Sequence, residues 1–152
     1  MGAPSPVLLT IGYERLLPDA LLAELEAAGA RRLIDVRFRP QSRRPGMSKT
    51  RLGDALAARG IAYEHRRALG TPADLRIAYK AGRVAEGAAA FRAHVAGGEP
   101  AAALDALAAE LADPATPRTA LLCLEEDPAT CHRRVLTDEL RARLPALRVV
   151  DL

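Results

Sequence analysis

An α/β protein, with one mostly parallel sheet of about five strands and helices on both faces, is predicted by three features of the chain. Short apolar runs of β type alternate with helix-length segments. The runs carry few polar residues, as strands covered on both faces do. Glycine or proline stands at nearly every junction between them. At 152 residues the chain is expected to form a single domain, residues 1–152, with one substantial core.

The first strand is Val7-Leu8-Leu9-Thr10-Ile11, stopped by Gly12. Residues 19–28 place Leu21, Leu22, Leu25 and Ala28 at helical spacing, with Pro18 near the first turn and Gly29 just past the end. Leu33-Ile34-Asp35-Val36 is the second strand, which completes a β-α-β unit. Ser48 stands where it can cap a helix whose Leu52, Ala55 and Leu56 share a face, and Gly60 ends that helix before the strand Ile61-Ala62-Tyr63. From 66 to 84 the pattern weakens into a loop with one short helix near 74–80, a candidate lid. Helices follow at 88–95 and 100–111, separated by Gly97-Gly98. A strand at 119–124, a helix at 128–144 and a last strand near 148–152 complete the chain.

Right-handed crossovers and this alternation suggest a three-layer, Rossmann-like sheet of order 3-2-1-4-5. Such sheets bind ligands beyond the carboxyl ends of their strands, here in a crevice between the first and fourth. Gly12, Tyr13 and residues 125–131 are expected to line it.

Composition narrows the class. Hydrophobic residues make up 49% and charged residues 27%, ordinary for a globular protein, while aromatics at 3% leave little material for stacking on bases. The net charge of +3 is carried mainly by arginine, whose planar fork suits phosphate and carboxylate. The only cysteines are Cys123 and Cys131, so a disulfide framework is not expected and a reducing compartment is. The start, Met1 to Pro6, lacks the pattern of a leader, and no apolar run spans a membrane; a cytoplasmic protein is expected.

The stretch from Leu121 to Arg134 gathers thiol, imidazole, carboxylate and guanidinium groups at one strand-to-helix turn. Cys131 lies close to a helix start beside Arg133 and Arg134, which favours a thiolate, the nucleophilic form. If Asp127 is the N-cap and Pro128 the first helical residue, Cys131 lies a turn inside the helix and the effect weakens; a small packing residue is the alternative. Helical stepping points His132 toward the sheet, Arg133 toward a ligand and Arg134 into solvent. Glu125 can supply acid or base chemistry beside them. Asp35 and Arg37, two apart on an extended strand, share a side; they form a local ion pair, or Asp35 orients His132 or Arg133.

Residues 37–51 hold Arg37, Arg39, Arg43, Arg44, Lys49 and Arg51 without one acid, ahead of a helix start at Ser48. That combination suits anion binding, with Gly12, Tyr13, Arg37, Arg43, Arg44 and Arg133 as the expected contacts. Tyr63, His65, Arg66 and Arg67 add to the same edge. No metal or cofactor is expected, because Cys131, His132 and Glu125 do not follow a zinc-ligand spacing and Cys123 is expected to point into the sheet.

Thr10 to Glu14, Leu33 to Arg37, Gln41 to Met47, Tyr63 to Gly70 and Cys123 to Arg133 resemble, in order and spacing, the family named domain of unknown function 488. Its most specific element is matched by Cys123, Glu125, Pro128, Cys131, His132 and Arg133; Met47 stands where an aromatic is frequent. The resemblance implies a compact bacterial or archaeal α/β protein and no settled activity. Leu33 to Arg37 also resembles an early strand of rhodanese-type sulfurtransferases, whose cysteine follows its strand at once, whereas Cys131 comes after acids and proline.

Two functions are expected to compete. One is an enzyme acting on a nucleotide or phosphorylated small molecule, with Arg37, Arg43 and Arg44 holding the anion and Cys131, His132, Glu125 and Asp35 in the chemistry. The other is a non-catalytic nucleic-acid-binding module that uses the 37–51 loop on a phosphate backbone.

Overall fold

The structure is a computed structural model, and it describes residues 4–152. The start of the expected leaderless segment, residues 1–3, lies outside them. The five strands are β1 (Val7–Gly12), β2 (Arg32–Asp35), β3 (Ala62–His65), β4 (Thr119–Cys123) and β5 (Arg148–Asp151). The helices are α1 (Pro18–Ala27), α2 (Lys49–Ala57), α3 (Ala73–Lys80), α4 (Val84–His94), α5 (Gly98–Ala112) and α6 (Arg133–Arg143). All strand pairings are parallel. Among the described residues no helix is long and apolar enough to cross a membrane.

Alternation along the strands divides the core into two layers. Leu9, Ile11, Leu33 and Leu122 face α1 and α2, where Leu21, Leu25, Leu52 and Leu56 meet them. Leu8, Ile34, Leu121 and Cys123 face the other way, onto Phe91, Leu104, Leu107, Val135 and Leu140 of α4, α5 and α6. The result is a three-layer, Rossmann-like α/β fold. Gly29 and Gly60 sit in the left-handed region just past α1 and α2, as their positions after the apolar stripes predict. Ser48 precedes α2 without capping it; its Oγ instead accepts from the Ser42 N–H at 3.0 Å and ties the loop to itself.

The strand order is β3-β2-β4-β1-β5, which corrects the expected 3-2-1-4-5. β4 takes the centre, between β1 and β2. Polar side chains within the sheet match this arrangement. The Arg32 Nε donates to Thr119 Oγ1 at 2.9 Å between β2 and β4, and the Thr10 hydroxyl donates to Asp151 at 2.5 Å between β1 and β5. The change brings three carboxyl ends side by side, because Gly12 pairs with Cys123 and Asp35 with Leu122.

Arg32 and Arg66 converge on Glu110 of α5, Arg66 through both its terminal nitrogens at 2.7 Å and Arg32 at 2.8 Å. The hydrogen bond from Arg66, against the opposing effect of burial, pulls the Glu110 carboxyl down to about 2. A depressed carboxylate stabilises the fold above its unfolded value, and that contribution fades as pH falls through about 2. Glu110→Gln is therefore expected to lose about 1–2 kcal/mol at neutral pH, a figure discounted for partial exposure. Urea unfolding at neutral and at strongly acidic pH checks this; a deficit that persists unchanged in acid contradicts the charge argument.

Candidate active site

The helix expected at 128–144 is broken. Pro128–Thr130 forms a separate 3-10 turn, capped by Asp127, whose Oδ1 accepts from the Ala129 N–H at 2.9 Å. Cys131 follows in extended backbone, and α6 begins at Arg133 with His132 at its N-cap. The Asp127 cap thus belongs to the turn, and Cys131 lies immediately before α6 instead of a turn inside it. Its sulfur accepts from the Arg133 N–H at 3.5 Å.

His132 is held at both ring nitrogens. Nε2 lies 3.0 Å from the Val36 carbonyl, which can only accept, so Nε2 carries a proton. That leaves Nδ1, 3.5 Å from Cys131 Sγ, to share a proton with the thiol. Phe91 packs edge-on against the ring at 5.2 Å between centroids. Burial opposes the Cys131 thiolate, yet a hydrogen bond from Cys123, the charge of His132 and the Arg133 N–H outweigh it and draw its pKa well down. Burial likewise opposes a charged His132, and the Cys131 thiolate overcomes it, so the imidazole is pushed up. Both shifts favour a thiolate–imidazolium pair over the neutral one.

Glu125 and Cys123 complete the floor. The two sulfurs and a Glu125 carboxylate oxygen lie within 4.8 Å of one another, and Cys123 Sγ is 3.7 Å from Glu125 Oε2. Burial, then the negative charge of Cys131, lifts the Glu125 carboxyl to about 7. Burial, then its hydrogen bond to Cys131, pushes the Cys123 thiol up. Two sulfurs and a carboxylate are also a donor set that suits a soft divalent cation. The sequence expectation kept Cys123 in the sheet; it is buried there, but it also reaches the cavity floor.

Above this floor is a cavity of about 170 Å³. Tyr13, Arg37 and Phe38 wall one side; Thr71 and residues Arg76, Tyr79 and Lys80 of α3 wall another, and Arg39 stands at the rim. The short helix expected near 74–80 is thus present and lies over the site. Three buried polar atoms on that wall, Thr71 Oγ1, Arg76 Nε and Tyr79 OH, have no hydrogen-bond partner among the described residues. Burial, then the nearby Cys131 charge, raises the Tyr79 hydroxyl to about 12. Among the described residues no carboxylate lies within ion-pair distance of Arg39, Arg76 or Lys80.

Several expected anion contacts have internal duties. Asp35, fully buried, accepts from Arg37 Nη2 at 2.7 Å and from the Tyr63 hydroxyl at 2.6 Å. It forms the local ion pair and positions Arg37, not His132 or Arg133. Arg37 also donates to the Met47 carbonyl at 2.8 Å and stacks on Tyr13, so it lines the cavity as a fixed wall. Arg44 donates to the carbonyls of Tyr13, Glu14 and Leu16 and fastens the basic loop to the end of β1. Arg43 is exposed and lies off the cavity. Arg133, expected to face a ligand, is fully buried; it donates to Thr10 Oγ1 at 2.7 Å and to the Glu125 carbonyl at 2.6 Å. His65 lies 2.7 Å from the Arg37 carbonyl and Arg66 serves Glu110.

Gly12 is a spacer. A Cβ there would lie 1.7 Å from the Glu125 carbonyl oxygen, so only glycine lets the Glu125 segment cross the end of β1. Sequence reasoning missed Arg76, Tyr79 and Lys80. Their spacing of three and four puts them on one helical face, a signal present in the sequence.

A family model described as Domain of unknown function DUF488 matches residues 18–140, most of the chain. The match includes Asp35, Arg37, Glu125, Cys131 and His132, while β1 and β5 fall outside it. No curated protein and no solved structure matches. From residue 18 to residue 140 the cavity floor and most of its walls are family territory, and the chain belongs to the family described as domain of unknown function DUF488.

Proposed function

We propose that the protein is an enzyme that uses Cys131 as a nucleophile on a small anionic molecule, such as a phosphorylated metabolite or part of a nucleotide. The observation that carries this reading is the Cys131–His132 pair at the floor of a cavity rimmed by unpaired cations. His132 keeps the thiol ionised and returns the proton to a leaving group. Glu125, with a carboxyl near 7, can give or take a proton at neutral pH. Arg39, Arg76 and Lys80 attract the anion, and the unpartnered Thr71 and Tyr79 oxygens offer it hydrogen bonds. A cavity of about 170 Å³ suits a small phosphate or carboxylate better than a whole dinucleotide.

Paired alkylating agents test the anion preference. Relative to a free thiol such as glutathione, Cys131 is expected to favour anionic iodoacetate over neutral iodoacetamide. Arg76→Ala with Lys80→Ala should erase that preference, and inorganic phosphate should protect Cys131 in the wild type only. An iodoacetate-to-iodoacetamide ratio equal to that of glutathione would falsify anion selection by the cavity. Nucleic-acid binding on the 37–51 loop would rest on Arg39, Arg43, Lys49 and Arg51, since Arg37 and Arg44 are engaged internally. A steep log-log salt dependence of oligonucleotide binding, undiminished in the Arg76→Ala, Lys80→Ala protein, is the result that would favour it.

A further inference from the structure

Cys123 has no part in the reading above, yet it is the nearest sulfur to the nucleophile. We propose that Cys123 is the resolving thiol for Cys131, so that the cavity runs a dithiol–disulfide couple with small anionic disulfides as its oxidant. The inference rests on Cys131 being the nucleophile and names a substrate class for it.

Three observations carry it. The sulfurs are no more than 4.8 Å apart and both face the cavity, so forming an S–S bond of about 2.05 Å needs only a local shift. Cys131 is in extended backbone between the 3-10 turn and α6, not locked in a helical ladder, so the shift does not break a helix. Glu125 Oε2 lies 3.7 Å from Cys123 Sγ and is the acceptor for its proton. The free cations at the rim favour an anionic disulfide over an uncharged peroxide.

The couple balances as follows. The Cys131 thiolate attacks one sulfur of R–S–S–R; that S–S bond breaks, and the departing thiolate takes the proton from His132 Nδ1 and leaves as R–SH. Cys131 now carries a mixed disulfide. Cys123 gives its proton to Glu125 and attacks Cys131 Sγ. The second R–S⁻ departs with that proton as R–SH. The substrate disulfide is reduced to two thiols while the two cysteines are oxidised to one disulfide, and excess R–SH reverses both steps.

The test is to mix the fully reduced protein with dithiodiglycolate, the small dicarboxylate disulfide of mercaptoacetate, and follow intact mass, released mercaptoacetate and a peptide map. Two equivalents of mercaptoacetate released per chain, a mass lower by two hydrogen atoms and a Cys123–Cys131 cross-link are expected. In Cys123→Ala one equivalent is released and a stable mercaptoacetate adduct stays on Cys131. A persistent adduct on Cys131 in the wild type, with Cys123 free, overturns the resolving role and leaves the nucleophile intact. A Cys131 that reacts no faster than a free cysteine overturns both. The wild-type mass balance decides the question even if Cys123→Ala fails to fold.

Discussion

Cys131→Ser is expected to abolish the single fast-reacting thiol of the protein. The chain has two cysteines, both free, so alkylation should resolve into a fast class and a slow class. His132, the Arg133 N–H and Cys123 hold Cys131 as a thiolate well below the ordinary thiol range, while burial raises Cys123. An unperturbed thiol near 8.5 is only about 1% ionised two pH units lower, so Cys131 should gain up to about 100-fold from its thiolate fraction at mildly acidic pH, offset in part by the lower nucleophilicity of a more acidic thiol. Loss of the Glu125 proton near pH 7 adds a second negative charge beside the sulfur and disfavours the thiolate, so the advantage of Cys131 over a free thiol should shrink as pH rises through about 7. His132→Asn should shift the whole profile toward higher pH, because it removes the positive partner. Iodoacetamide kinetics from pH 5 to 9, with peptide identification, supplies the measurement. If the fast class survives in Cys131→Ser, Cys131 is a packing residue and the enzyme reading fails.

Gly12→Ala is expected to have the largest effect on stability. Its backbone is not left-handed, so the cost is steric: the new methyl would sit 1.7 Å from the Glu125 oxygen and 2.4 Å from its carbon. Neither partner can yield cheaply. Gly12 is in register with Cys123, and the Tyr13 and Glu14 N–H groups donate to the carbonyls of Cys123 and Leu124. The Glu125 carbonyl is gripped by Arg133. Forced separation should cost about 3 kcal/mol or more, which lowers Tm by roughly 6–12 °C for a chain of this size. The fast thiol should vanish with it, because Glu125 and Cys131 are displaced together. A variant that melts with the wild type shows that the crossing is looser than these distances imply.

Layering and element order were legible because the apolar runs and the glycines after α1 and α2 leave little choice. Strand order was not. β1 and β4 are both continuous apolar runs buried on both faces, so hydropathy cannot say which is central. The deciding contacts, Arg32 to Thr119 and Thr10 to Asp151, join residues 87 and 141 positions apart. The candidate site was legible where it is local: Glu125, Cys131 and His132 line one cavity. It failed where charge was counted without partners: Arg44 and Arg133 look like free cations in the sequence and are bound to backbone carbonyls in the fold. The helix through 128–144 was misread because its Asp-Pro start is genuine but serves a turn of one revolution.

The central place of β4 also governs how the chain can fold. β1 and β2 do not touch as neighbours; β1 has no partner until residues 119–123 arrive, and β2 has only β3 before then. The ladder from Leu8 to Thr119 closes a loop that spans most of the sequence, so the sheet is built from non-local contacts whose closure entropy comes first. During synthesis, β1 leaves the ribosome long before β4 and waits with both edges unpaired, while β2 can recruit only β3. Slow assembly, with strand edges exposed to aggregation between those two events, is the expected consequence of this topology.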